Sequence, residues 1–170
     1  GGVITATHTG EGCAAIGGGN YGAGGNITIN GGTVNVNTDV DDLSDADALV
    51  GDNTLSIDGA AITVDSSADG LKSKGENVEI VSGNIEVKAG NDAVQASTSI
   101  DISGGTIVAG GDRGFRLDTA GLLNITGGDI AEILQNFFKI LRMKIHKQSK
   151  LVYIIIKRSG RGYFMKFISW

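Results

Sequence analysis

The chain predicts an all-β fold: a parallel β-helix of about five coils of 22–28 residues, followed by a short C-terminal helix and a hairpin-like tail. Three observations point to it. Short apolar runs flank glycine turns repeatedly, in "NITINGGTVNVN" (26–37), "TLSIDGAAITVD" (54–65), "NVEIVSGNIEVK" (77–88), "TSIDISGGTIVAGG" (98–111) and "LLNITGGDIAE" (122–132). The first apolar residues after the turns, Val34, Ile62, Ile85, Ile107 and Ile130, are spaced by 28, 23, 22 and 23 residues. A period in this range marks a stacked solenoid rather than one closed core. Each period also holds three apolar-polar-apolar runs, such as Ile62 to Val64, the pair around Leu71, and Val78 to Ile80, which makes one coil with three faces.

Each element has a physical reason. A strand of three or four residues cannot bury its apolar side chains alone, but coils stacked at roughly 4.8 Å bury one another's inward residues. Val, Ile and Thr fill the runs because branched side chains suit a pleated surface, and Gly, Asn, Asp and Ser supply the corners. This reading puts Val34, Ile62, Ile85, Ile107, Leu49, Leu71, Val94 and Phe115 inside.

Composition divides the chain near residue 130. Residues 1–130 carry 18 acidic against 5 basic side chains, 26 of the 28 glycines, and only Tyr21 and Phe115 as aromatics. Residues 131–170 carry 1 acidic against 9 basic side chains and seven aromatics, so the tail is a different kind of sequence from the repeat domain. Ile130, Ile133, Leu134, Phe137, Phe138, Leu141 and Ile145 have the i, i+3, i+4 spacing of an amphipathic helix over about 130–147. Asp129 and Glu132 resemble a capping box at its start. Two short strands, 151–157 and 162–168, then flank Ser159 and Gly160. Two readings of the tail stay open: a cap over the exposed edge of the last coil, or translation out of frame from near residue 131. The opening "GGVITA" lies inside a repeat, so the chain is expected to be a fragment of a longer protein, as a monomer or one part of a multidomain chain.

Several functions are disfavoured at this level. The negative charge of the repeat domain argues against nucleic acid, and no 18-residue apolar run exists to span a membrane as a helix. "GGGNYG" (17–22) has dinucleotide-loop spacing at Gly17, Gly19 and Gly22, but a strand-like run follows where the phosphate-binding helix should start. His8 and His146 have no companion ligands nearby in sequence and read as surface residues. Cys13, the one cysteine, reads as a small buried apolar residue.

The acidic run "TDVDDLSDADALVGD" (38–52) lacks the central glycine and closing glutamate of an EF-hand. Its place in the repeat matters more. Aligning the middle of each period stacks Asp47-Ala48-Leu49-Val50, Asp69-Gly70-Leu71-Lys72, Asp92-Ala93-Val94-Gln95 and Arg113-Gly114-Phe115-Arg116. The aspartates form a ladder, and carboxylates about 5 Å apart repel by roughly 1 kcal/mol in water and more near a protein surface. A calcium ion among these carboxylates and corner carbonyls would remove that penalty. Arg113, with Asp112 beside it, looks like charge compensation at the end of the column.

The "ISGGTI" and "ITGGDI" turns, with "ADGLKSKG" and "NDAVQAS" between them, resemble the calcium-binding, β-helical carbohydrate-binding domain of secreted bacterial proteins, itself similar to lyases of the pectate-lyase type. The first forty residues also resemble glycine-rich repeats of bacterial surface proteins. The resemblance covers residues 1–130 and none of the tail. It implies a right-handed parallel β-helix, extracellular or cell-surface location, bound calcium, and adhesion to plant cell-wall polysaccharide of the cellulose or polygalacturonate type. It carries the metal role onto Asp47, Asp69 and Asp92, with Asp112 at the end of the ladder, and an insertion before Asp47 departs from the pattern.

Three functions compete. A non-catalytic carbohydrate-binding module would hold sugar on the outward column Lys72, Gln95 and Arg116, with Arg113 beside it. A calcium-dependent lyase would need a base from Lys72, Lys74 or Lys88. A surface-adhesin spacer would only build length.

Overall fold

The computed structural model describes residues 1–9, 12–18, 25–38, 46–118, 121–134, 152–159 and 162–169, with the backbone alone for 132–134 and the last two segments. Five successive coils each contribute three strands. They are β1 (Val3–Thr7), β2 (Ile16–Gly17) and β3 (Ile27–Asn30); β4 (Thr33–Asn37), β5 (Leu49–Gly51) and β6 (Leu55–Asp58); β7 (Ala60–Ser66), β8 (Leu71–Ser73) and β9 (Asn77–Ile80); β10 (Gly83–Ala89), β11 (Asp92–Ala96) and β12 (Ser99–Ile102); and β13 (Thr106–Gly111), β14 (Arg113–Leu117) and β15 (Leu122–Ile125). Each strand pairs in parallel with its counterpart one coil away, which gives three separate sheets: β1-β4-β7-β10-β13, β2-β5-β8-β11-β14 and β3-β6-β9-β12-β15. This is a three-faced parallel β-helix.

The register follows the repeat. Val34 pairs with Ile62, Ile62 with Ile85, and Ile85 with Ile107, so the four stack in one interior column. Leu49, Leu71, Val94 and Phe115 stack inside the second sheet, and Leu55, Val78, Ile100 and Leu123 inside the third. All twelve are buried in one continuous apolar cluster. Burial along β7 and β10 alternates strictly at the apolar positions, as a strand with one face inward requires.

The corners that return the chain from the third sheet to the first depend on glycine. Gly105 has φ +92°, and a β-carbon there would come within 2.8 Å of the carbonyl oxygen of Gly83, the equivalent corner one coil earlier. Neighbouring corners therefore stack too closely for any side chain at this site.

The sixth coil begins with β16 (Asp129–Leu134), paired in parallel with β13, and Ile130 extends the first-sheet column beyond Ile107. This corrects the expected helix over 130–147. Its first residues, 130–134, are strand, so no helix starts at Asp129, and residues 135–147 lie outside the described residues. The physical reason is the open edge of β13: six consecutive partners from Thr106–Asp129 to Gly111–Leu134 satisfy the backbone by pairing, which outweighs a helical spacing of apolar residues.

The two expected tail strands are present as β17 (Val152–Ser159) and β18 (Gly162–Ser169). They form an antiparallel hairpin that continues the first sheet, with Ala131 opposite Val152 and Glu132 opposite Tyr153. No described helix is long and apolar enough to cross a membrane. Cys13 is exposed, which corrects its expected burial: it lies in the connection between β1 and β2, outside the strands that supply the inward columns. His8 is half-buried just after β1, while His146 and residues 19–22 of the glycine-rich motif lie outside the described residues.

Candidate functional site

The corner leading into the second sheet carries the aspartate ladder. Asp92 pairs with Arg113, and the register of Leu49, Leu71 and Val94 puts Asp47 and Asp69 at the same corner of the two preceding coils. The first two acids each cap the backbone of the next coil. The Asp69 amide donates to Asp47 Oδ1 at 3.0 Å, and the Asp92 amide donates to Asp69 Oδ1 at 3.1 Å.

The remaining oxygens hold cations. Lys72 Nζ lies 3.0 Å from Asp47 Oδ2 and 2.7 Å from Asp69 Oδ2. Arg113 grips Asp92 through Nε to Oδ1 and Nη2 to Oδ2, and Arg116 Nη1 donates to the same Oδ2 at 3.2 Å. The Asp92 side chain is 0% exposed, and a charge taken fully out of water persists only with such partners. Burial pushes the Asp47 carboxyl above its ordinary 3.8, an effect Lys72 partly offsets. Burial also works against the charge on Lys72, but hydrogen bonds and attraction from Asp69 and Asp47 outweigh it and hold its pKa above the ordinary 10.5. At neutral pH Lys72 is therefore a fixed ammonium.

Calcium takes six to eight oxygens in one shell. Every carboxylate oxygen of Asp47, Asp69 and Asp92 is engaged by an amide, an ammonium or a guanidinium. Among the described residues, no three His, Cys, Asp or Glu side chains converge as a metal group. As arranged, the column does not fit calcium. Asp112 is exposed one residue before the Arg113 that pairs with Asp92, and so stands beside the column rather than in it.

The structure does align Lys72, Gln95 and Arg116 as neighbours across three coils, but turns them toward protein carboxylates. Gln95 is 7% exposed, and its Nε2 donates to Asp118 Oδ1 at 3.4 Å. Arg116 lies 3.6 Å from the same oxygen while also holding Asp92. The polar outward column is thus part of the internal charge network.

A different surface is open. On the outward side of the first sheet, Thr5, Asn35, Thr63 and Glu86 form one row across four coils, and Thr7, Asn37, Asp65 and Lys88 form another. The rows are about 6.8 Å apart along the strands and the coils about 4.8 Å apart. Between them lies a shallow hollow of about 220 Å³ lined chiefly by Thr5, Thr7, Asn35, Asn37, Thr63 and Asp65. The side chains along it carry hydroxyl, amide and one carboxylate group, but Ala6 and Val36 also line it and most of the surface it presents is apolar. Phe115 is the one aromatic among the described side chains, and it is buried, so no described ring offers a stacking surface here. The sequence reading missed this face. The alternate letters of "TVNVN" and "AAITVDS" would have marked it, had the outward residue of every strand been written out in register.

Comparison with known proteins places the chain in a family. Neither the curated proteins nor the solved structures yield a match. A family model described as "Carbohydrate-binding domain-containing protein" matches residues 7–120, which takes in most of the five coils, the aspartate column, and the first-sheet face apart from Thr5 and Ala6. The chain belongs to the family of carbohydrate-binding domain-containing proteins.

Proposed function

We propose that the domain is a non-catalytic module of a secreted or surface-attached bacterial protein, and that it lays a neutral polysaccharide of the cellulose type along the outward face of the first sheet. The observation that carries this reading is the pair of rows Thr5-Asn35-Thr63 and Thr7-Asn37-Asp65 around the hollow. Short hydroxyl and amide side chains repeated at the coil spacing suit a polymer that repeats its own hydroxyls. Polygalacturonate is less favoured, because Lys72, Arg113 and Arg116, which would meet its carboxylates, are already paired with Asp47, Asp69 and Asp92. Proton abstraction by a lysine is less favoured as well, since a lysine acts as a base only when uncharged. Lys72 is held as the ammonium, Lys88 lies 2.9 Å from Asp65, and Lys74 lies 3.9 Å from Asp52.

Retention on insoluble cellulose and on polygalacturonate beads, each at low and high salt, tests the reading. Retention on cellulose that salt leaves unchanged is expected. Replacing Asn35 and Thr63 together by Ala should weaken it by roughly thirtyfold, at about 1 kcal/mol per lost hydrogen bond. Salt-sensitive retention on polygalacturonate alone would move the site to charged residues, and retention on neither polymer would leave only a spacer.

A further inference from the structure

We propose that Lys72 is the built-in counter-ion of the aspartate column, occupying the point where a divalent cation would otherwise bridge Asp47 and Asp69, so that this column neither needs nor takes up calcium. The geometry is specific. One ammonium nitrogen lies within 3.0 Å of an oxygen from each of two acids that belong to successive coils. It comes from the outward position three residues after Asp69, so the chain that supplies the second acid also supplies its cation. The side chains of Asp47 and Asp69 are 14% and 6% exposed, which leaves their charges little water to rely on. The next acid, Asp92, is neutralised from the following coil by Arg113 and Arg116. Every step of the ladder therefore has a basic residue within the protein, and the like-charge repulsion that would draw in a metal is already opposed from within. The proposal is independent of the sugar reading, since none of these residues lines the hollow on the first sheet.

The test is thermal melting of the whole chain in chelator and in millimolar calcium, with terbium luminescence as a second probe of metal uptake. The wild type should melt at the same temperature in both and bind no terbium at the column. Lys72→Arg should behave likewise, because it keeps a cation there. Lys72→Ala leaves two carboxylate oxygens aimed at one vacated point, so it should melt lower in chelator, recover with calcium by mass action, and bind terbium. Adding Asp47→Asn to Lys72→Ala should abolish that recovery. A wild-type melt that rises with calcium overturns the proposal, and so does a folded Lys72→Ala that ignores calcium and terbium. If Lys72→Ala does not fold even in calcium, the wild type and Lys72→Arg decide: indifference to calcium in both supports the proposal, and a response in either overturns it.

Discussion

The ammonium of Lys72 and the carboxylate of Asp69 meet at 2.7 Å across a single corner of one coil, and the same ammonium reaches Asp47 in the coil before. One side chain thus ties two coils together beside the apolar stack of Leu49 on Leu71.

The pair has a pH signature. The folded pKa of Lys72 is raised above 10.5, so its contribution to stability is fully present below 10.5 and is lost as pH rises through the folded value. Melting temperature should fall through this alkaline window in the wild type. Lys72→Ala should start lower and lose less over the same window. Asp47, also raised, acts in acid: its contribution is present below 3.8 and lost as pH rises through its folded value, opposite to an ordinary paired carboxylate. Asp47→Asn should remove that term from an acid titration of the melt, and an unchanged profile would show that it is absent.

Asp92 has no exposure and depends on two guanidiniums. Arg113→Met should destabilise the fold by about 3 kcal/mol, the usual cost of breaking a buried pair from one side. Arg113→Met combined with Asp92→Asn should recover much of that loss. Additive losses in a denaturant-based double-mutant cycle would count against the coupling.

Leu71 is fully buried between Leu49 and Val94. Leu71→Ala should cost about 2–5 kcal/mol through the cavity it leaves. Leu71→Asp should unfold several coils together, because neighbours in a solenoid share their stability. Circular dichroism melts of the two variants check this, and a wild-type melt for Leu71→Asp would refute the register.

Gly105→Val puts a β-branched side chain at φ +92° and against the Gly83 carbonyl. The strain and the clash should together cost several kcal/mol. Ser103→Ala, two residues earlier and exposed, should change the melt little and serves as the control.

Much of the fold was legible because a solenoid turns chain order directly into geometry. Once Val34, Ile62, Ile85, Ile107 and Ile130 were known to recur at near-constant spacing, stacking left one way to superpose them, and the observed register follows it. The alignment of Leu49, Leu71, Val94 and Phe115 was readable for the same reason. The start of the tail was not. The spacing of Ile130, Ile133 and Leu134 satisfies a helix and does not forbid a strand, and only the open edge of β13 decided between them. A backbone edge has no sequence signature.

The sequence by itself determined the three-faced coil, its inward columns and the stacking of Asp47, Asp69 and Asp92, because period and alternation act along the chain and repeat. The tertiary structure alone decided where the polar side chains turn. Lys72 and Arg116 read as outward in every alignment, yet they bend back onto the acids of their own and neighbouring coils, leaving Thr5, Asn35 and Thr63 on another sheet as the open polar face. A long flexible side chain takes its direction from charges brought near by stacking, and those distances do not exist until the coils are stacked.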